Sequence, residues 1–233
     1  MKSRFQIKET VVSIIAEEEF ILPAKEAIMH HRRELEDFIT KDPFFSLTLE
    51  PYPESEDAPK IVRRMIEASL KVGIGPMSAV AGTISQLAVE AMIDAGATYA
   101  IVDNGGDIAL INDKEVLVGI YAGEINDFAF KVKPRDSILG ICTSSGKIGP
   151  SISFGNSDAV TVISGNTSVA DSAATAIGNL VTDEKSINNA INNFSGIDGI
   201  DGILIICDGR IGTWGDLPSI TRARVSYDQI TRP

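Results

Sequence analysis

The sequence is poor in features that define several large classes of protein. Its 233 residues include only two cysteines, two histidines and one tryptophan. The cysteines, Cys142 and Cys207, are too few for a disulfide framework, and both lie in apolar runs, so we expect reduced, buried thiols. No apolar run reaches the length of about 18 residues that a membrane span needs. The amino-terminal residues also lack the apolar core of an export signal. These absences predict a cytoplasmic protein with no membrane partner.

Basic residues are outnumbered. The chain has 21 Lys and Arg against 32 Asp and Glu, which gives a net charge of −11. Nucleic-acid binding depends on a basic surface that neutralises phosphates, so this balance argues against nucleic acid as a partner. A chain of this length with 44% hydrophobic residues can build one sizeable core. We therefore expect a single domain over residues 1–233.

The amino-terminal third is predicted to be mainly helical. Residues from Pro23 to Thr40 have helical spacing and contain both histidines, His30 and His31. No further histidine exists to complete a metal site, so a solvated or partly buried helix position is favoured over metal ligation. The proline-rich, acidic residues 42–59 predict a short strand followed by a surface loop, and residues 61–72 predict a second helix.

The most informative stretch runs from Tyr99 to Ile111. Two β-branched, apolar runs flank the polar segment Asp103-Asn104-Gly105-Gly106-Asp107. An Asn-Gly pair between two such runs predicts a tight hairpin, because glycine adopts positive φ without strain. The polar tip could meet a ligand or a metal ion. On this stretch alone a plain hairpin turn is favoured.

A segment of small residues, Gly73 to Gly82, opens a predicted helix from about Ser78 to Asp94, which ends at Gly96. Small residues at a helix start leave backbone N–H groups open to an anion such as phosphate. Close packing of one helix on another through alanine and glycine explains the same residues. Both interpretations stay open.

A second helix start rich in small residues begins at Asn166. Asp171 and Thr175 are four residues apart and share a helix face, where two oxygen ligands could hold a hard cation. Alternatively, the carboxylate complements the helix dipole and the threonine bonds back to a carbonyl. The spacing alone favours this second interpretation.

The two halves of the chain follow a similar order of elements. Residues 73–121 and 165–214 each contain a helix start of small residues, then a helix, a strand, a glycine-containing turn and a strand. This order predicts an internal pseudo-repeat and two related lobes around a cleft, where ligands often bind. Short connections between strands favour an α+β fold with mostly antiparallel sheets and paired helices.

Several of these segments together resemble the ApbE-like superfamily, whose characterised members are FAD:protein FMN transferases. The hairpin tip resembles that family's Asn-x-Gly-Gly-Asp motif, with Asp103 at the first position. Residues 170–176 match its Ala-Asp-x-x-Ala-Thr-Ala helix start. Residues 143–146 resemble its Ser-Gly turn, and residues 76–82 resemble its Gly-Gly-x-Ala-Lys-Gly segment more loosely.

The resemblance implies that FAD or a related nucleotide binds in the cleft with Mg²⁺ beside its pyrophosphate. Asp171, Thr175 and a backbone carbonyl at or near Ala79 would then hold the metal. The same resemblance implies further cofactor-binding positions: Ser78, Ala79, Asn104, Gly105, Gly106, Asp107, Ser145 and Gly146.

The chain also departs from the family in two places. The interval Ser151 to Asp158 contains no histidine, although the transferases carry a His-x-x-Asp-Pro-x-x-Gly motif there. Val80 and Ala81 stand where the family has a lysine. No catalytic residue is therefore assigned, and three hypotheses follow: a divergent transferase, a flavin- or nucleotide-binding module without turnover, and a structural protein that forms a homo-oligomer.

Overall fold

An antiparallel sheet runs through the centre of the molecule. The computed structural model describes residues 1–7, 10–123, 125–147 and 154–223. In this part of the chain, eight strands form one sheet in the order β1-β2-β3-β4-β7-β8-β9-β10, and three form a second in the order β11-β6-β5. The strands are β1 Lys2–Ile7, β2 Thr10–Ala16, β3 Ala100–Asn104, β4 Asp107–Asn112, β5 Val116–Ala122, β6 Ile125–Val132, β7 Arg135–Ser144, β8 Ala159–Ser164, β9 Gly202–Cys207, β10 Arg210–Gly215 and β11 Ser219–Arg222.

Helices cover one face of the large sheet. They are α1 Glu18–Lys41, α2 Phe44–Leu47, α3 Lys60–Val72, α4 Val80–Asp94, α5 Thr167–Leu180 and α6 Ile187–Phe194, with a 3₁₀ helix at Pro76–Ala79. Successive residues of a strand point to opposite faces. Val102 therefore packs into the core under the helices, and Ile101 packs into a second core under the small sheet. The predicted α+β fold with mostly antiparallel strands is confirmed.

Local sequence signals are realised at the predicted hairpin and helix ends. Gly105 and Gly106 have φ of 72° and 104°, so the turn between β3 and β4 requires two residues with positive φ. Gly96, with φ of 103°, follows the end of α4. The Asn166 side chain caps α5 by accepting hydrogen bonds from the N–H groups of Ser168 and Val169 at 3.0 and 3.3 Å.

The predicted strand within residues 42–59 is wrong, because this segment instead contains the single helical turn α2. The Phe45 side chain is fully buried and packs edge-on against Phe38 and Tyr52, at centroid distances of 5.1 and 5.0 Å. Burying an aromatic ring outweighs the weak extended tendency of the flanking residues.

The halves that are predicted to repeat both contribute strands to the large sheet, β3 and β4 from the first half and β9 and β10 from the second, whereas β5 at the end of the first half lies in the small sheet. Their internal relationship stays a prediction. Within the described residues no single helix is long and apolar enough to cross a membrane; only α3 taken with Pro76–Asp94, a pair bent by 108°, meets the length and composition.

Candidate functional site

Asp171 lies in the first turns of α5 and points at the start of α4. Its side chain is 7% exposed, and its Oδ2 accepts a hydrogen bond from the Gly82 N–H at 2.7 Å. A Cβ atom on residue 82 would lie 2.7 Å from the Asp171 Cβ and 2.5 Å from the Thr167 carbonyl oxygen. Only glycine lets the two helices approach this closely. At Gly82 the structure therefore shows close helix packing, and the N–H group of this residue is taken up by the Asp171 carboxylate.

Asp107 joins Asp171 at the same place. The register of β4 on β7 sets Asp107 opposite Cys142, and the Asp107 carboxyl group hydrogen-bonds both Cys142 and Asp171. Burial, and then the nearby Asp171 carboxylate, raise the pKa of Asp107 well above its usual value. Burial also raises the pKa of Asp171 to about 7, against the hydrogen bond from Gly82.

The electrostatic surroundings of this carboxyl pair are unusual. Within the described ranges, no lysine, arginine or histidine is among the groups that act on either carboxyl. Two ionised carboxylates held together in a partly buried corner without a cationic partner are costly, and a proton held between them offsets that cost when no cation is bound. A bound cation would neutralise them, so the residues present suit a metal ion at this corner.

Thr175 follows Asp171 by one turn of α5 and is partly exposed. Its hydroxyl group forms no hydrogen bond with another described residue. The Ala79 carbonyl oxygen lies 2.6 Å from the Thr83 hydroxyl. The nearby Ser78 hydroxyl lies 2.9 Å from that of Ser172. The 3₁₀ helix and α5 thus meet through small polar side chains. The ligand roles of Ala79 and Ser78 stay predictions.

The hairpin tip connects the start of α4 with the end of β7. Asn104 is buried, and its side-chain amide donates to the Ala81 carbonyl oxygen at 3.3 Å. The Gly106 N–H donates to the Asp103 carboxylate at 2.9 Å, and its carbonyl accepts from the Thr143 N–H at 3.2 Å. The structure therefore brings this hairpin to the same corner as Asp171.

Ser145 and Gly146 follow β7 and lie near a different part of α5 from Asp171. The Gly146 N–H donates to the Ser157 carbonyl at 3.0 Å, and a Cβ at Gly146 would clash with the Gly155 carbonyl. A Cβ at Gly155 would in turn clash with the carbonyl of Gly178, near the end of α5. Seven residues of helix separate Gly178 from Asp171, or about 10 Å at 1.5 Å per residue. The predicted residues thus form two groups at opposite ends of one helix.

A charged cluster that the sequence did not predict lies beyond this turn. The Lys147 ammonium is 2.9 Å from the carboxylates of both Asp158 and Asp208. The other oxygen of Asp158 accepts from the Asp208 N–H at 2.8 Å. The two carboxylates raise the pKa of Lys147 above its usual value. Asp158 thus ties the β9–β10 turn in place. Residues 151–153 of the interval that departs from the family lie outside the described residues.

The architecture resembles that of known flavin transferases. The chain is similar to the apo form of the flavinyl transferase ApbE from Pseudomonas stutzeri, with a TM-score of 0.56 and 15% identity over 92% of this chain and 94% of that chain. The H257G mutant of the flavin transferase ApbE from Vibrio cholerae gives a TM-score of 0.55 at 13% identity, covering 94% of this chain and 97% of that chain. At such identities the likeness defines the fold, and the protein has the ApbE-like fold.

Sequence comparison identifies the family itself. Residues 2–210 match the family described as AbpE bacteria, and the chain belongs to it. A UPF0280 protein of Methanococcoides burtonii is 52% identical over the whole of both chains. Another, from Methanosarcina barkeri, is 55% identical over all of this chain and 93% of its own length. The resemblance inferred from the motifs is confirmed.

Proposed function

We propose that this protein binds a flavin nucleotide such as FAD together with Mg²⁺, which is held at the corner formed by Asp107 and Asp171. The observation that carries the proposal is the pair of adjacent carboxyl groups, Asp171 buried and Asp107 half-buried, which meets no cation of the described chain. Support also comes from the ApbE-like fold, whose solved examples include proteins named as flavin transferases.

The donor atoms at the corner suit a hard cation. Mg²⁺ prefers oxygen ligands and is bound in proteins by one or two carboxylates, with other positions left to water and phosphate. Asp171, Asp107, the Thr175 hydroxyl and a carbonyl at or near Ala79 are all oxygen donors. Mg²⁺ held there would neutralise negative charge on a pyrophosphate group. The resemblance implies a cofactor-binding role for Asp107. Because Asp107 contacts Asp171, we propose it as a metal ligand instead.

The separation of the two groups of predicted residues favours an extended ligand. Asn104 of the hairpin tip reaches Ala81 beside the metal corner, whereas Gly146 packs on Gly155, which in turn lies against Gly178 near the other end of α5. A dinucleotide can reach both groups when its pyrophosphate is at the corner. A small anion would engage only the first group.

Binding without transfer is the form of this function that the site favours. The interval Ser151 to Asp158 has no histidine to act as an acid or base, and Asp158 is engaged by Lys147 and Asp208. A divergent transferase that uses other groups is the second candidate, because the metal corner itself is present. A cytoplasmic location and association into a homo-oligomer stay predictions.

Isothermal titration calorimetry of the full chain with FAD, in the presence and absence of Mg²⁺, tests the proposal. We expect Mg²⁺-dependent binding that Asp171→Asn and Asp107→Asn each weaken at least about tenfold. Asp94→Asn is the matched control, because it removes an exposed carboxylate from the opposite end of α4, and affinity should be unchanged. Electron paramagnetic resonance of Mn²⁺ measures the metal site without nucleotide.

The outcomes separate the hypotheses. Wild-type protein that binds no FAD in the presence of Mg²⁺ refutes the proposed function. Binding with no AMP or FMN released over a long incubation supports a binding module, and released products identify a transferase or hydrolase.

A further inference from the structure

Helix α1 brings the two histidines of the chain together with a carboxylate. His31 Nδ1 lies 2.8 Å from Glu34 Oε2, and His30 Nε2 lies 3.5 Å from Glu34 Oε1. One potential ligand atom from each of the three side chains lies within 4.8 Å of the other two. Each oxygen of Glu34 thus faces a different imidazole. Positions three and four residues apart on a helix share a face, which explains the convergence.

The spacing of these atoms suits a small metal ion. Zn²⁺ binds imidazole nitrogen and carboxylate oxygen at about 2.0–2.2 Å, so two ligands at a tetrahedral angle are roughly 3.3–3.5 Å apart. The distance of 3.5 Å between His30 and Glu34 lies in that range, whereas the 2.8 Å between His31 and Glu34 is a hydrogen-bond distance that lengthens when a metal ion replaces the proton. The two rings are tilted by 54° with centroids 4.9 Å apart, so they approach without stacking face to face. Small side-chain rotations are enough to close the site.

The electrostatic surroundings leave the imidazoles able to bind metal. His31 is half-buried and its Nδ1 shares a hydrogen bond with Glu34, so a metal ion that binds there replaces the proton between these two atoms. Lys60 on α3 is the nearby cation that acts on His31. Its ammonium lies 2.9 Å from the Glu90 carboxylate, which compensates its charge. The His30 side chain is 65% exposed, which gives an ion a path from solvent.

We propose that His30, His31 and Glu34 form a binding site for a borderline divalent transition-metal ion, with Zn²⁺ as its representative. Two imidazoles and one carboxylate suit Zn²⁺, Ni²⁺ or Cu²⁺, whereas Mg²⁺ prefers oxygen ligands alone. Three protein ligands leave one tetrahedral position for water or a small molecule. The site lies on α1 and does not depend on the proposed flavin site.

The composition of the chain provides a specific spectroscopic test. The sequence contains no other histidines, so the imidazole ¹⁵N signals of the full chain, prepared without an affinity tag, report this cluster alone. We expect both imidazoles to respond together to Zn²⁺ and to saturate at one equivalent. A large excess of Mg²⁺ should not reverse the change. If only one imidazole responds, or neither does, the proposal is overturned.

Variants test whether the carboxylate takes part. Glu34→Gln preserves the side-chain shape and should weaken Zn²⁺ binding at least about tenfold in a competition titration against a chromogenic chelator. Asp37→Asn is the matched control, because it removes an exposed charge from the same helix outside the cluster, and its affinity should equal that of the wild type. His31→Asn should also lose binding, with circular dichroism confirming an intact fold. Wild-type affinity in Glu34→Gln overturns the three-ligand site.

Discussion

Replacing Gly82 with alanine probes the contact between α4 and α5 on which the candidate site depends. The new Cβ would lie 2.5 Å from the Thr167 carbonyl oxygen, whereas real Cβ atoms essentially never approach closer than 3.0 Å. The obstacle is backbone and cannot rotate away. The helices must therefore separate by about half an ångström or more at this point, which also stretches the Gly82–Asp171 hydrogen bond.

Three effects decide the sign of the change in stability. Alanine is a better helix former than glycine by up to about 1 kcal/mol. Overpacking a tight contact costs about 1–3 kcal/mol. Weakening a buried hydrogen bond to a charged group costs a further 1–3 kcal/mol or so. The two unfavourable effects outweigh the helix propensity, and we expect Gly82→Ala to lower the free energy of unfolding by about 2 kcal/mol.

Urea denaturation followed by circular dichroism measures this difference. Gly165→Ala is the matched control because no atom would lie within 4 Å of its Cβ and its φ is ordinary for an L-residue. That control should be neutral or slightly more stable, by up to about 1 kcal/mol. A Gly82→Ala protein as stable as the wild type would refute the close helix contact and the fixed position of Asp171.

Three further predictions concern other parts of the fold. Asn166→Ala removes the cap of α5 and should cost about 1 kcal/mol of unfolding free energy in the same assay. Lys147 holds the pKa of Asp208 below its usual value. This pair therefore stabilises the fold above the pKa that the carboxyl group has in the unfolded chain, and the stabilisation is lost as the pH falls through the lower pKa of the folded protein. Lys147→Met should flatten the acid limb of a pH–stability curve, and an unchanged limb would contradict the pairing. Cys142 and Cys207 are both fully buried, and burial raises the pKa of each thiol, so Ellman's reagent should react with two thiols in guanidinium and with neither in native protein.

Two side-chain arrangements of the structure follow from features that the sequence contains. His30 and His31 lie on α1, as predicted, and the same helix brings the Glu34 carboxylate, three and four residues further on, to both rings. In residues 42–59, the prolines and acidic residues indicate a loop, whereas the burial of Phe45 organises α2.

The amino-acid sequence by itself determined the features whose physics acts over a few residues. Asn104-Gly105-Gly106 specifies its turn because only glycine adopts positive φ without strain. Asn166 specifies the start of α5 because its side chain satisfies the first free N–H groups. The periodicity of the strands and their short connections specify an antiparallel α+β fold, and the motifs indicate the family.

Only the tertiary structure decided how these parts meet. Asp107 and Asp171 are 64 positions apart in the chain, and they come together through the register of β4 on β7 and the close approach of α5 to Gly82. Each carboxylate taken alone is an ordinary turn or helix-start residue. Their contact in a partly buried corner without a cation of the described chain makes the corner a candidate metal site, because the cost of placing two carboxylates together depends on three-dimensional surroundings that no local pattern encodes.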